Sequence, residues 1–128
     1  MLNLKTMTLP KTPNTYLLAP EGYCQNAQPN GAAPVYAGKT PAQLKVEFVR
    51  AIENESRLSV LEDEEFCMEL RQRTPLVGWP DYISVCFLEA DEGGSTLAIY
   101  SRSKYGRKDF GVNRKRIERW LDLLGNKS

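Results

Sequence analysis

A chain of 128 residues, 41% hydrophobic and 26% charged, has the size and composition of one globular domain, which excludes disorder as its default. Its net charge of +1 conceals a division. Residues 101–119 hold eight cations (Arg102, Lys104, Arg107, Lys108, Arg114, Lys115, Arg116 and Arg119) against Asp109 and Glu118, leaving 9 basic and 14 acidic residues elsewhere.

The first forty residues read as an extended arm, because five of the eight prolines fall there and each removes a backbone donor. Within it, Tyr16-Leu17-Leu18-Ala19 predicts a short edge strand or anchor, and residues 1–13 a loose tail ahead of a single domain at 14–128. No leader-like apolar core precedes the first proline, and no run reaches the roughly 18 apolar residues of a membrane helix. A cytoplasmic protein without a membrane span is the expectation.

Thr40-Pro41-Ala42-Gln43 has a hydroxyl at the N-cap, proline at the first helical position and glutamine at the third. Leu44, Phe48, Val49 and Ile52 then predict one apolar face of a helix ending near Asn54. Strands are predicted at 57–62, 65–73, 81–89 and 95–103, the last two joined by the turn Asp91-Glu92-Gly93-Gly94. A final helix from Val112 to Leu124 carries the stripe Ile117, Trp120, Leu121 and Leu124, with Gly125 to end it. The predicted fold class is α+β: a small antiparallel meander sheet of three to four strands, two helices packed on one face, and an extended N-terminal arm.

Three cysteines (Cys24, Cys67 and Cys86) without CxxC spacing, and no histidine, argue against a structural zinc site and against a disulfide. Small thiols in a reducing compartment are expected, with no metal and no cofactor. Gly38-Lys39-Thr40 lacks the earlier glycine of a phosphate-binding loop and reads as a helix cap. Ser101-Arg102-Ser103-Lys104 matches S-x-x-K, but on a strand residues three apart point to opposite faces. A small hydrolase would need a pocket lined by Asp81, Ser101, Ser103, Lys104 and Asp109, and without histidine few activating bases remain. The chain therefore leans away from enzymes.

The basic stretch is unusual for a helix. Arg114, Lys115 and Arg116 fall in the first turn, at the positive end of the macrodipole, an arrangement that loses stability unless something negative compensates. Compensation could be internal, from Asp109, Asp81 or the run Glu62 to Glu65, or external, from a bound anion. Tyr100, Tyr105 and Phe110 interleave with the cations, yet an isoelectric point of 7.7 is below the basic range of most nucleic-acid-binding domains.

SRSKYGRKDFGVNRKRIE resembles the signature S-x-S-R-x-G-x-x-D-[LF]-G-x-N-R-x-R of the domain of unknown function 1499 family. It falls on Ser101, Ser103, Lys104, Gly106, Asp109, Phe110, Gly111, Asn113, Arg114 and Arg116, and an upstream G-F-x-D-D element is echoed by Gly78-Trp79-Pro80-Asp81. Lys104 stands where the family has arginine, and Arg107-Lys108 where tyrosine-serine is common. The resemblance implies a grouping and no activity.

These residue types describe a corner. Gly106 and Gly111 permit unusual backbone, Asp109 or Asn113 can cap the helix, and Arg114 or Arg116 can reach back to Asp81 beside Trp79. The functional expectation is a non-catalytic binding or accessory module that takes an anionic ligand or acidic partner at Ser101, Ser103, Lys104, Asn113, Arg114 and Arg116. The alternative is a structural or interaction protein in which the same corner is satisfied internally.

Overall fold

The computed structural model describes residues 1–10, 14–104 and 111–125. Its elements are β1 (Thr15–Ala19), β2 (Gly31–Ala32), α1 (Pro41–Ile52), β3 (Leu58–Asp63), β4 (Cys67–Arg73), β5 (Pro80–Glu89), β6 (Ser95–Ser103) and α2 (Val112–Leu124). The strands form one six-stranded sheet in the order β2-β1-β6-β5-β4-β3, antiparallel except where β1 pairs with β2.

The sheet corrects the expected three- or four-stranded antiparallel meander. Strands β3 to β6 make a meander, but the arm extends it by two strands and one of the new pairings is parallel. The cause lies in β6, buried along Ser95 to Ser101, which needs a partner on both edges. β1 supplies the second, pairing Thr15 with Arg102 and Leu18 with Ile99. It is thus an interior strand, and the arm's prolines, all outside Thr15–Ala19, leave its donors intact. β2 spans only two residues, too few to show any periodicity.

α1 begins with a full capping box: Thr40 Oγ1 accepts from the Gln43 N–H at 3.1 Å, and Gln43 Oε1 accepts from the Thr40 N–H at 2.9 Å. Leu44, Phe48 and Ile52 turn to the sheet while Val49 stays exposed. Phe48 meets Phe87 at 5.4 Å and Trp120 at 6.0 Å, both edge-on, so one aromatic ties the two helices to β5. Both helices cover the same face of the sheet.

The opposite face has its own cover. Residues 1–10 have no periodicity and read as a tail, yet Leu4 (1% exposed) and Met7 are buried with Leu17, Ala98 and Tyr100. Burial of that extent contributes roughly 1.5–3 kcal/mol for one leucine. On the β5–β6 hairpin, Gly94 is required: a Cβ there would lie 2.5 Å from the Tyr36 carbonyl oxygen. That close approach lets Tyr36 and Ser95 exchange backbone hydrogen bonds of 2.7 and 3.0 Å.

Cys67 and Cys86 stand opposite each other in the β4–β5 register and form a disulfide, which corrects the expected absence of one. Parity and short-range spacing carry no information about cross-strand register, and these cysteines are 19 residues apart. Cys24 remains free, its thiol pushed up by burial. Disulfides persist in oxidising compartments, which counts against the reducing one expected. No helix among the described residues is long and apolar enough to cross a membrane.

Thiol titration of the denatured, unreduced protein should find Cys24 alone, and all three cysteines after reduction. Reduction should lower stability by about 3 kcal/mol, the loop-closure value for a ring of this size. An unchanged melting temperature in reductant would contradict the bridge.

Candidate functional site

On the face covered by the helices, the apolar rows of three neighbouring strands all end in polar residues at the same end. Met68 and Leu70 lead to Gln72, Phe87, Val85 and Ile83 lead back to Asp81, and Leu97 and Ile99 lead to Ser101 and Ser103. The period-two alternation keeps these polar side chains on the helix side. Register aligns Gln72 with Asp81 and Asp81 with Ser103, so the polar ends lie in one row.

α2 closes over this row. Gly111 precedes it with φ 77°, a left-handed conformation that only glycine adopts without strain. Asn113 and Arg116, three apart on one helical face, then project onto the strands. Arg116 is 6% exposed and Asp81 2%. The guanidinium donates to Asp81 Oδ2 at 2.6 Å, Gln72 Oε1 at 2.7 Å, Asn113 Oδ1 at 2.9 Å and Ser101 Oγ at 3.0 Å. Ser101 Oγ in turn donates to Asn113 Oδ1 at 2.7 Å. Asn113 Nδ2 donates to the Asn14 carbonyl at 2.8 Å and to Ser103 Oγ at 3.0 Å. A buried charge is tolerated only when paired and hydrogen-bonded, and this one is both.

The cluster continues toward α1. Gln72 Nε2 donates to the Ser56 carbonyl at 3.0 Å and to Glu55 Oε1 at 3.4 Å. The same Glu55 oxygen accepts from Trp120 Nε1 at 2.8 Å and from Arg119. Burial works to raise the Glu55 carboxyl, but hydrogen bonds from Trp120, Arg119 and Gln72, with the Arg119 charge, hold it below the usual carboxylate value.

Of the residues singled out by sequence, Asp81, Ser101, Ser103, Asn113 and Arg116 come together here. Asn113 lies inside the helix and acts on the strands. Arg114 is exposed, paired with Glu118 at 3.0 Å and 5.8 Å above the Tyr16 ring. Lys104 is exposed, its N–H reaching the Pro80 carbonyl at 3.4 Å, and Trp79 is half-exposed on the loop before β5. Gly106, Asp109 and Phe110, with Tyr105, Arg107 and Lys108, lie outside the described residues.

Sequence reasoning missed Gln72, Asn14 and Glu55. The available signal was a polar residue at the next position of an apolar alternation, which Gln72 is after Met68 and Leu70. It also missed a cleft of about 440 Å³ beside the cluster, between the end of β4 and the start of α2. Arg57, Arg73, Lys115 and Arg119 line it, and among the described residues no carboxylate does. Arg119 is paired with Glu55, and Arg57 and Arg73 donate to the carbonyls of Arg73 and Gly78, so their charges are not cancelled there. At the other end of the sheet, a depression of about 370 Å³ is lined by Glu21, Glu89, Asp91 and Glu92.

Replacing Arg116 with alanine should destabilise the protein by about 3–5 kcal/mol, since Asp81 would be left buried and unpaired. Arg114→Ala should leave the melting temperature unchanged, because its pair is solvent-exposed. Equal effects of the two substitutions would contradict the distinction. Because the folded Glu55 carboxyl is lowered, its contribution is present above its unfolded value and disappears as pH falls through the folded one. Glu55→Gln should therefore flatten the acid side of the stability profile, and an unaltered profile would exclude this role.

A search among curated proteins finds no match to the chain. Residues 5–124, which include every strand and helix described above, match the family described as protein of unknown function (DUF1499), and the chain belongs to that family.

Proposed function

We propose that the protein is a non-catalytic binding module that takes an anionic ligand or an acidic partner at its basic end. The observation that carries this reading is the cleft lined by Arg57, Arg73, Lys115 and Arg119, with no carboxylate in its wall among the described residues. Concave basic walls raise the local concentration of anions, and arginine forks match carboxylate and phosphate geometry. Lys115 also lies in the first turn of α2, where the macrodipole adds to its charge. Acidic residues at the opposite end would repel the same ligand, which favours one orientation of approach.

The expected ligand set shifts on this reading. Ser101, Asn113 and Arg116 are committed to one another, so their contribution is to hold α2 and the cleft in place. The internally satisfied alternative is favoured by that same cluster for Arg116, but it leaves the excess charge of Arg57, Arg73 and Lys115 without a role. Ser101, fully buried, presents no nucleophile to solvent, which speaks against the hydrolase reading. The disulfide supports an oxidising location over the cytoplasm.

Titration of the full chain with inorganic phosphate and with a polyglutamate peptide should shift the amide signals of residues 57, 73 and 115 in a salt-sensitive manner. Arg73→Glu with Lys115→Glu should weaken binding by at least about tenfold. No shift with either probe would dispose of the proposal.

A further inference from the structure

The loop between β4 and β5 exposes apolar surface where folding gains nothing from it. Leu76 is 105% exposed, Val77 65% and Trp79 48%. Leu76 also has φ 68°, a left-handed conformation that is strained for a bulky side chain. The exposure is built into the loop. The Thr74 N–H donates to the Trp79 carbonyl at 2.8 Å, the Trp79 N–H to Thr74 Oγ1 at 3.0 Å, and the Gly78 N–H to the Thr74 carbonyl at 3.1 Å. Arg73 adds a bond to the Gly78 carbonyl at 2.9 Å. A closed loop with such pinning presents a fixed apolar tip.

Its surroundings are cationic. Arg73 begins the loop, Arg57 is bonded to the Arg73 carbonyl, and Lys104 reaches the carbonyl of Pro80 with its backbone N–H. Lys115 faces the adjoining cleft, and residues 74–80 contain no carboxylate. An apolar tip with a ring of cations matches the depth profile of an anionic bilayer, with acyl chains inside and phosphates at the rim. Tryptophan suits the boundary itself, with an apolar body and a polar N–H. A protein partner fits the shape less well, since a stable protein interface covers about 800 Å² on each side and this tip offers three side chains.

We infer that the β4–β5 loop docks the protein on an anionic membrane surface, Leu76, Val77 and Trp79 entering the interface and Arg57, Arg73 and Lys115 contacting lipid phosphates. This rests on the anionic-ligand reading of the same end and names the lipid headgroup as the anion. Each cation near such a surface strengthens binding roughly fivefold, so the apolar tip and the charges act together.

The experiment is co-sedimentation of the full chain with phosphatidylcholine vesicles with and without phosphatidylglycerol, followed by tryptophan fluorescence. Binding should be at least about tenfold stronger on the anionic vesicles. The emission should shift to the blue and be quenched by lipids brominated along the chain. Trp120, buried in the core, reports nothing, so Trp79→Phe should abolish the shift. Leu76→Ser with Val77→Ser, which removes apolar surface without adding charge, should reduce vesicle binding by at least about tenfold while the melting temperature and phosphate binding stay as they were. Phosphate binding without vesicle binding would overturn the membrane inference and leave the anion reading standing. Failure of phosphate, polyglutamate and vesicles alike would overturn both. Vesicle binding that the double serine variant retains, or a polyglutamate peptide that perturbs Trp79 while vesicles do not, would also overturn it.

Discussion

The Arg116 guanidinium donates to Gln72 on β4, Asp81 on β5, Ser101 on β6 and Asn113 within its own helix. A hydrophobic contact between a helix and a sheet tolerates sliding by a fraction of a turn, whereas a planar fork with four fixed acceptors does not. Arg116 therefore sets the position of α2 along the sheet as well as its attachment. Asn113 extends the same constraint to the arm through the Asn14 carbonyl, so the residue that leads into β1 and the last helix of the chain share one polar anchor.

What the rest of the molecule presents depends on that registration. With α2 fixed, Lys115 and Arg119 face Arg57 and Arg73 across the cleft, and the β4–β5 loop projects beside them. The cations near the positive end of the α2 macrodipole have separate outcomes: Arg116, one position past the first turn, is neutralised inside by Asp81, Arg114 on the surface by Glu118, and Lys115 adds its charge to the cleft. Carboxylates gathered at the far end of β5 and β6 complete a molecule whose charge is separated along the sheet.

Local patterns in the sequence carry most of the elements. Thr40 to Gln43 announce α1 because a capping box is a contact between residues three apart, and Gly93-Gly94 mark the β5–β6 turn for an equally local reason. Long-range pairings leave no such trace. Tyr16 to Ala19 show an apolar cluster, but nothing in it says that β1 pairs inside the sheet, and the two residues of β2 show no pattern at all. The disulfide depends on the register of β4 against β5, invisible in a spacing of 19 residues. At the site, the charge run at 101–119 was conspicuous, whereas Gln72, Arg57 and Arg73 belong to segments that look ordinary until strand and helix are placed side by side. The legible clue was the switch from apolar to polar at the end of three alternating rows.

The most direct test of Arg116 as the anchor is a double-mutant cycle with Arg116→Met and Asp81→Asn, read by chemical denaturation. A coupling energy of at least about 2 kcal/mol is predicted for two groups in one buried network. Additivity of the two substitutions to within about 0.5 kcal/mol would show that the Arg116–Asp81 pair does not anchor α2, and would contradict the account.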